Sequence, residues 1–245
     1  EIPKEKLPLL GIGAAFSFFF FFFFLFLPGG MTGHVVGATL LVVLLGPWSA
    51  CLAVSIALFV QALFFGDGGI LAFGANCFNM AFVMPFSGWF VYRALKKMWP
   101  RHHILAAGIG AYIGINLAAL CAAIEFGIQP LLFTDAAGQA LYCPYPLWIS
   151  IPAMMVGHLT LFGLAEVVFT TAVLGYLQKT SPALMTGAVP QTGKAVYGLL
   201  VLLIAGTPLG LLAAGTAWGE WDPAELAGQD FLGSQLGYTP AGMET

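Results

Sequence analysis

From Leu7 to Gly66 the chain carries no Asp, Glu, Lys or Arg, and its one histidine there is His34. A stretch that long without charge cannot present a face to water. The rest of the sequence agrees: charged residues make up 8% of the chain and hydrophobic ones 60%, where a soluble domain carries about 25% charged residues. The fold class this dictates is all-α, a polytopic membrane protein forming one bundle.

Roughly 20 apolar residues carry a helix across the hydrocarbon, and about seven transmembrane helices follow. The first is expected at about 7–27, including seven consecutive phenylalanines, Phe18 to Phe24. That run is aromatic on every face and fixes no rotational register. A shorter second segment runs about 34–46 and turns at Gly46-Pro47-Trp48, and a third covers about 49–65. After the Gly-Asp-Gly-Gly turn at 66–69 comes a glycine- and asparagine-bearing stretch. The fourth span then runs about 79–98, the fifth 103–127, the sixth 147–178 and the seventh 195–218. Two regions result: a membrane domain over 1–180, and 181–245 with a loop, the final helix and a loosely ordered acidic tail.

All eight basic residues fall in three places: Lys4 and Lys6; Arg93, Lys96, Lys97 and Arg101; Lys179 and Lys194. With seven spans the three groups share one side, which the excess of Lys and Arg in cytoplasmic loops makes the inside. The N-terminus as given is then cytoplasmic and the C-terminus extracytoplasmic. His34, Asp67, Asn76 and Asn79 fall at the outer mouth.

Polar groups at membrane depth cost several kcal/mol unless paired or used, so each is a candidate. His34 sits among glycines that permit close backbone approach and reads as a metal or proton ligand, or as an interfacial histidine bonded to a carbonyl. Asp67, Asn76 and Asn79, with Gln61 as a weaker member, either orient a ligand or satisfy irregular backbone. Such backbone near a membrane is tolerated only where protein buries it or a cavity lies beside it. His158 and Glu166, eight residues apart, share roughly one face of the sixth helix and mark a pathway, a structural pair or a subunit contact. The small residues Gly110-Ala-Tyr-Ile-Gly114, and Gly11, Gly13, Ala14 and Ala15, let helices pack closely. Cys51, Cys77, Cys121 and Cys143 show no metal or disulfide spacing. The stretch GAVPQTGKA at 187–195 fails as a P-loop: five residues separate its glycines and Ala195 takes the hydroxyl position. No catalytic residue, permanent cofactor or nucleic-acid-binding patch is expected; the chain reads as no enzyme.

Three segments, PGGMTGHVVGATLLVVLLGPW, QALFFGDGGILAFGANCFNM and GHLTLFGLAEVVFTTAVLGYLQK, resemble the CbiM/NikM family, over about residues 7–180. Residues 195–245 are similar to the extension in members where a small N-type component is fused. These are substrate-specificity (S) components of energy-coupling-factor (ECF) transporters for cobalt and nickel. The resemblance implies a multi-pass protein of the prokaryotic cell (inner) membrane that captures Ni(II) or Co(II), for uses that include cobalamin biosynthesis. It implies partners as well: a transmembrane coupling (T) component, two ATP-binding cassette subunits that hydrolyse ATP, and in some systems a small N-type membrane component.

In the family the ion is held in a roughly planar nitrogen set. The donors are the free amine, a backbone amide and the imidazole of an N-terminal Met-His, with the histidine matching His34. Nitrogen donors in a plane suit Ni(II) and Co(II) better than Mg(II), and a ligating imidazole must be neutral. This chain starts at what corresponds to the family's second helix: either a preceding helix with its Met-His lies upstream, the reading preferred here, or the chain is a degenerate member; as given, its metal affinity should be weak. Two other functions stay open. An S component for an organic vitamin would bind its ligand without His34. A membrane scaffold without a ligand would depend on His158 and the small-residue faces instead.

Overall fold

The computed structural model describes residues 7–21, 24–27, 31–69 and 71–185, with two short pieces at 230–231 and 234–235. The expected seventh span at 195–218, the 187–195 stretch, and nearly all of the acidic tail lie outside the described residues. Hydropathy places most of the rest. Helix α1 is Leu7–Phe21, α2 Ala38–Leu45 and α3 Pro47–Phe65. Helix α4 covers 73–98, α5 is His103–Leu132, and α6 is Leu147–Thr180. Of these, α3, α5 (with the turn before it) and α6 are long and apolar enough to cross a bilayer. Trp48, Phe64, Phe90 and Trp148 are each at least 70% exposed, a surface suited to lipid rather than water.

Two expectations at the start of the chain are corrected. The first span does not run as helix to residue 27: α1 stops at Phe21, and at 15 residues it reaches roughly 22 Å. Phe24–Leu27 is instead a strand, β1, paired antiparallel with β2, Met31–His34, so that Phe24 lies opposite His34. The Phe-Leu-Phe-Leu stretch has no polar stripe to hold it as a helix, and aromatic residues suit strands as well; the ladder with β2 satisfies its backbone. The second segment is likewise shorter. Helix α2 begins at Ala38, after Gly37 takes the left-handed conformation (φ 72°), which glycine adopts without steric cost. With Ala38, Thr39, Leu40, Leu41, Val42 and Leu45 buried, α2 is a short strut enclosed nearly all round by the other helices.

The irregular stretch after residue 66 is also shorter than expected. Gly66, Gly68 and Gly69 turn the chain at positive φ, but Phe73 already starts α4, so Asn76 and Asn79 are helical. Three helices widen into π-helical turns: Gln61–Phe65 ends α3, Cys77–Val83 lies within α4, and His158–Phe162 lies within α6. In α4 the cause is visible. Pro85 follows the wide turn, lacks an N–H and crowds the carbonyl four residues earlier, and the extra residue per turn makes room.

Close packing fixes the helix order. A Cβ on Gly110 would stand 2.7 Å from the Gly88 carbonyl oxygen, and one on Gly114 2.8 Å from that of Met84, so α4 and α5 run antiparallel with backbones nearly touching. Helices α5 and α6 are antiparallel too: Gly127 meets Leu147 while Gly108 meets Thr171, and the Ser150 hydroxyl donates to the Ala123 carbonyl at 2.8 Å. This alternation gathers Arg93, Lys96, Lys97, Arg101 and Lys179 at one end of the bundle. The glycine turn at 66–69 and the loop 133–146 lie at the other.

Candidate functional site

A cavity of about 350 Å³ lies at the loop end, between α3, α4, α5, α6 and the β1–β2 hairpin. Each π-helical turn puts one polar side chain on its wall: Gln61 from α3, Asn79 from α4 and His158 from α6. Widened turns recur at functional sites because they redirect a side chain that a regular helix would stack over its neighbours. Thr32, Gly33 and His34 close the hairpin side, Asp67 stands on the glycine turn, and Asn76 in the first turn of α4. Six of the seven sequence candidates therefore share one cavity.

His34 ends β2 and is half-buried, its ring edge-to-face with Phe21 at 4.9 Å between centroids. Its Nδ1 is buried and makes no hydrogen bond of ordinary geometry. Burial, then the charge of nearby His158, lowers its pKa to about 4, the Val35 backbone pulling the other way. At neutral pH this imidazole is uncharged and keeps a lone pair. His158 is oriented by its own helix: Nδ1 lies 2.9 Å from the Met154 carbonyl oxygen. A carbonyl can only accept, so Nδ1 carries the proton and Nε2 keeps the lone pair, the arrangement in which a second hydrogen bond fixes a ligating imidazole.

The remaining polar groups brace each other. Gln61 donates to the Asp67 carboxylate, and burial raises Asp67 to about 6 against the opposing hydrogen bonds from Gln61 and Gly68. Asn76 donates to the Gly68 carbonyl at 3.3 Å and pins the turn. Asn79 donates to Glu125 at 2.7 Å, while its own Oδ1 is buried without a partner.

Glu166 is not on the cavity. Its carboxylate, fully buried, accepts the backbone N–H groups of Val36 at 3.0 Å and Gly37 at 2.9 Å. The pairing with His158 that the eight-residue spacing allowed is replaced by separate partners: the Met154 carbonyl for His158, and the Val36 and Gly37 N–H groups for Glu166.

Sequence reasoning missed Glu125, Gln129 and the 142–145 segment. Gln129 accepts the Cys143 N–H at 3.0 Å and lines the cavity with Tyr142, Cys143 and Tyr145. The signal was present: Glu125 and Gln129 are polar residues in an apolar helix, the same rule that singled out Glu166. Burial pushes the Cys143 thiol up to about 11, so it stays protonated at neutral pH and is a poor thiolate ligand.

Among the described residues no three His, Cys, Asp or Glu side chains converge closely enough to enclose a metal ion, and no Lys or Arg lines the cavity. What it offers is two imidazoles, amide groups and one carboxylate of raised pKa. A largely apolar chamber with a few convergent polar groups suits the capture of a small solute.

Fold and site thus define a polytopic membrane protein with a solute-sized chamber, largely apolar and set with a few polar side chains, at one end of its helix bundle. The chain belongs to the CbiM family, described as the cobalt uptake substrate-specific transmembrane region, which residues 1–184 match. It is 52% identical to the probable fused nickel transport protein LarMN of Lactiplantibacillus plantarum, over 91% of this chain and 67% of that protein. With the fused nickel transport protein NikMN of Rhodobacter capsulatus it shares 45% identity, over 92% of this chain and 67% of that one. The chain thus spans about two thirds of the length of these relatives. Among solved structures it is similar to a truncated transition metal transporter, with TM-score 0.71 and 51% identity, covering 73% of this chain and 83% of that one. A second transition metal transporter gives TM-score 0.72 and 49% identity, covering 79% and 86%. These relatives are named as transport proteins, in line with a membrane protein of nickel and cobalt transport.

Proposed function

We propose that this chain is the substrate-capture membrane subunit of an ECF-type transporter that takes up Ni(II) or Co(II). The ion enters from the extracytoplasmic side, and His34 donates a nitrogen to it. The observation that carries this reading is the buried, unpartnered nitrogen of a neutral imidazole at a cavity without fixed positive charge. Such a nitrogen is costly to leave empty and is the donor type that late first-row divalent ions prefer. Nickel is favoured over cobalt, because affinity at nitrogen donors rises from Co(II) to Ni(II) and two relatives are named for nickel. Further donors are required, in accord with the absence of a three-ligand cluster among the described residues.

Asp67, Gln61, Asn76 and Asn79 serve as the braced wall around the ion, and His158 is a second nitrogen within the same chamber. A transmembrane coupling component and two ATP-binding cassette subunits would supply the energy, with the basic end of the bundle toward the cytoplasm. The test is initial-rate uptake of radioactive nickel by cells carrying the intact transporter with His34→Ala. Uptake should fall at least about tenfold, the scale on which changes around a metal site act. Unchanged nickel uptake at equal membrane abundance would refute the assignment and favour an organic ligand or a scaffold.

A further inference from the structure

The link between His34 and α2 is tied to two other helices. From α1, the Ser17 hydroxyl donates to the Val36 carbonyl at 2.9 Å. From α6, the two oxygens of Glu166 accept separately from Val36 N–H and Gly37 N–H. Gly37 is the residue that opens α2 and Val36 precedes it, so neither N–H finds an acceptor within α2. Their acceptor comes from 129 and 130 residues further along the chain. A carboxylate buried in an apolar bundle is expensive to maintain. A backbone turn could be capped by a neutral Asn, Ser or Thr nearby, so capping alone does not explain an acid brought from α6.

We infer that Glu166 is the positioning residue for His34: its bidentate grip on Val36 and Gly37 fixes the strand that presents the imidazole to the cavity and ties it to α6. The same helix carries His158 on the cavity wall, about two turns before Glu166. A displacement of α6 therefore moves one imidazole directly and the other through this grip. The inference rests on the reading of His34 as a metal ligand.

The experiment measures KM and Vmax for nickel uptake by the intact transporter, normalised to copies in the membrane, for Glu166→Ala, Glu166→Gln and His34→Ala. It adds the ligand-field absorption of nickel bound to the purified full-length protein. Glu166→Ala should raise KM about 10- to 100-fold, the range seen when a group supporting a metal ligand is lost, with Vmax per copy retained. Glu166→Gln keeps a single acceptor oxygen and should fall between, with a displaced absorption band. If Glu166→Ala does not accumulate, Glu166→Gln and Ser17→Ala carry the test, each with raised KM at normal abundance. Loss of copies with unchanged KM and spectrum, while His34→Ala abolishes uptake, overturns the inference and leaves the ligand assignment standing. Unchanged uptake in His34→Ala overturns both.

Discussion

Asn79 on α4 donates its side-chain amide to Glu125 on α5 across 2.7 Å, joining two helices at the wall of the cavity. Glu125→Ala leaves that amide without an acceptor, at a cost of about 1–3 kcal/mol. The thermal unfolding midpoint of the purified protein in detergent should fall accordingly. Glu125→Gln, which keeps an acceptor oxygen at the same reach, should recover most of the loss.

Gly33 precedes His34 with no room for a side chain: a Cβ there would lie 2.2 Å from the Phe162 ring, and Phe162 is 3% exposed. Gly33→Ala must push β2 away from α6 or force the ring off its rotamer, a change of about 1–3 kcal/mol in a packed core. Nickel uptake at limiting concentration should drop sharply. Adding Phe162→Leu, which vacates the contested volume, should restore part of it; a double variant no better than the single one would show that the clash is not the cause.

Asp67 gives a pH dependence of defined sign. Its folded-state pKa is raised to about 6 from 3.8, burial outweighing the Gln61 and Gly68 hydrogen bonds. Between those values the folded protein holds a proton that the unfolded chain has released. Its contribution to stability is thus complete below about pH 4 and is lost as pH rises through 6. Thermal midpoints measured from pH 7 down to 5 should show wild type gaining on Asp67→Asn as the pH falls. The opposite titration of His34 is common to both proteins and cancels in the comparison.

The two small-residue patches should respond differently to substitution. Gly114→Leu drives a side chain into the Met84 carbonyl and should prevent accumulation of folded protein, read by membrane abundance and gel-filtration profile. A Cβ on Gly11 meets nothing within 4 Å. Gly11→Ala should therefore be neutral or stabilising by roughly 0.5–1 kcal/mol, the helix preference of Ala over Gly.

Hydropathy alone determined that the chain crosses a membrane and where α3, α5 and α6 lie, because burying apolar length in lipid is a local property of each segment. The glycine turn at 66–69 and the candidates His34, Gln61, Asp67, Asn76 and Asn79 were legible too, since a polar group in an apolar run stands out wherever it occurs. Tertiary structure decided the rest. Phe24–Leu27 became a strand because an unbroken apolar Phe-Leu-Phe-Leu stretch suits helix and sheet alike, and its pairing with Met31–His34 breaks the tie. Asn79 and His158 came to face one cavity through π-helical turns, which change direction by a single residue and leave no mark in periodicity. Glu125 found Asn79, and Glu166 found Val36 and Gly37, through contacts spanning 46 to 130 residues. A hydrogen bond between distant segments depends on where helix packing brings them, and no local pattern encodes that distance.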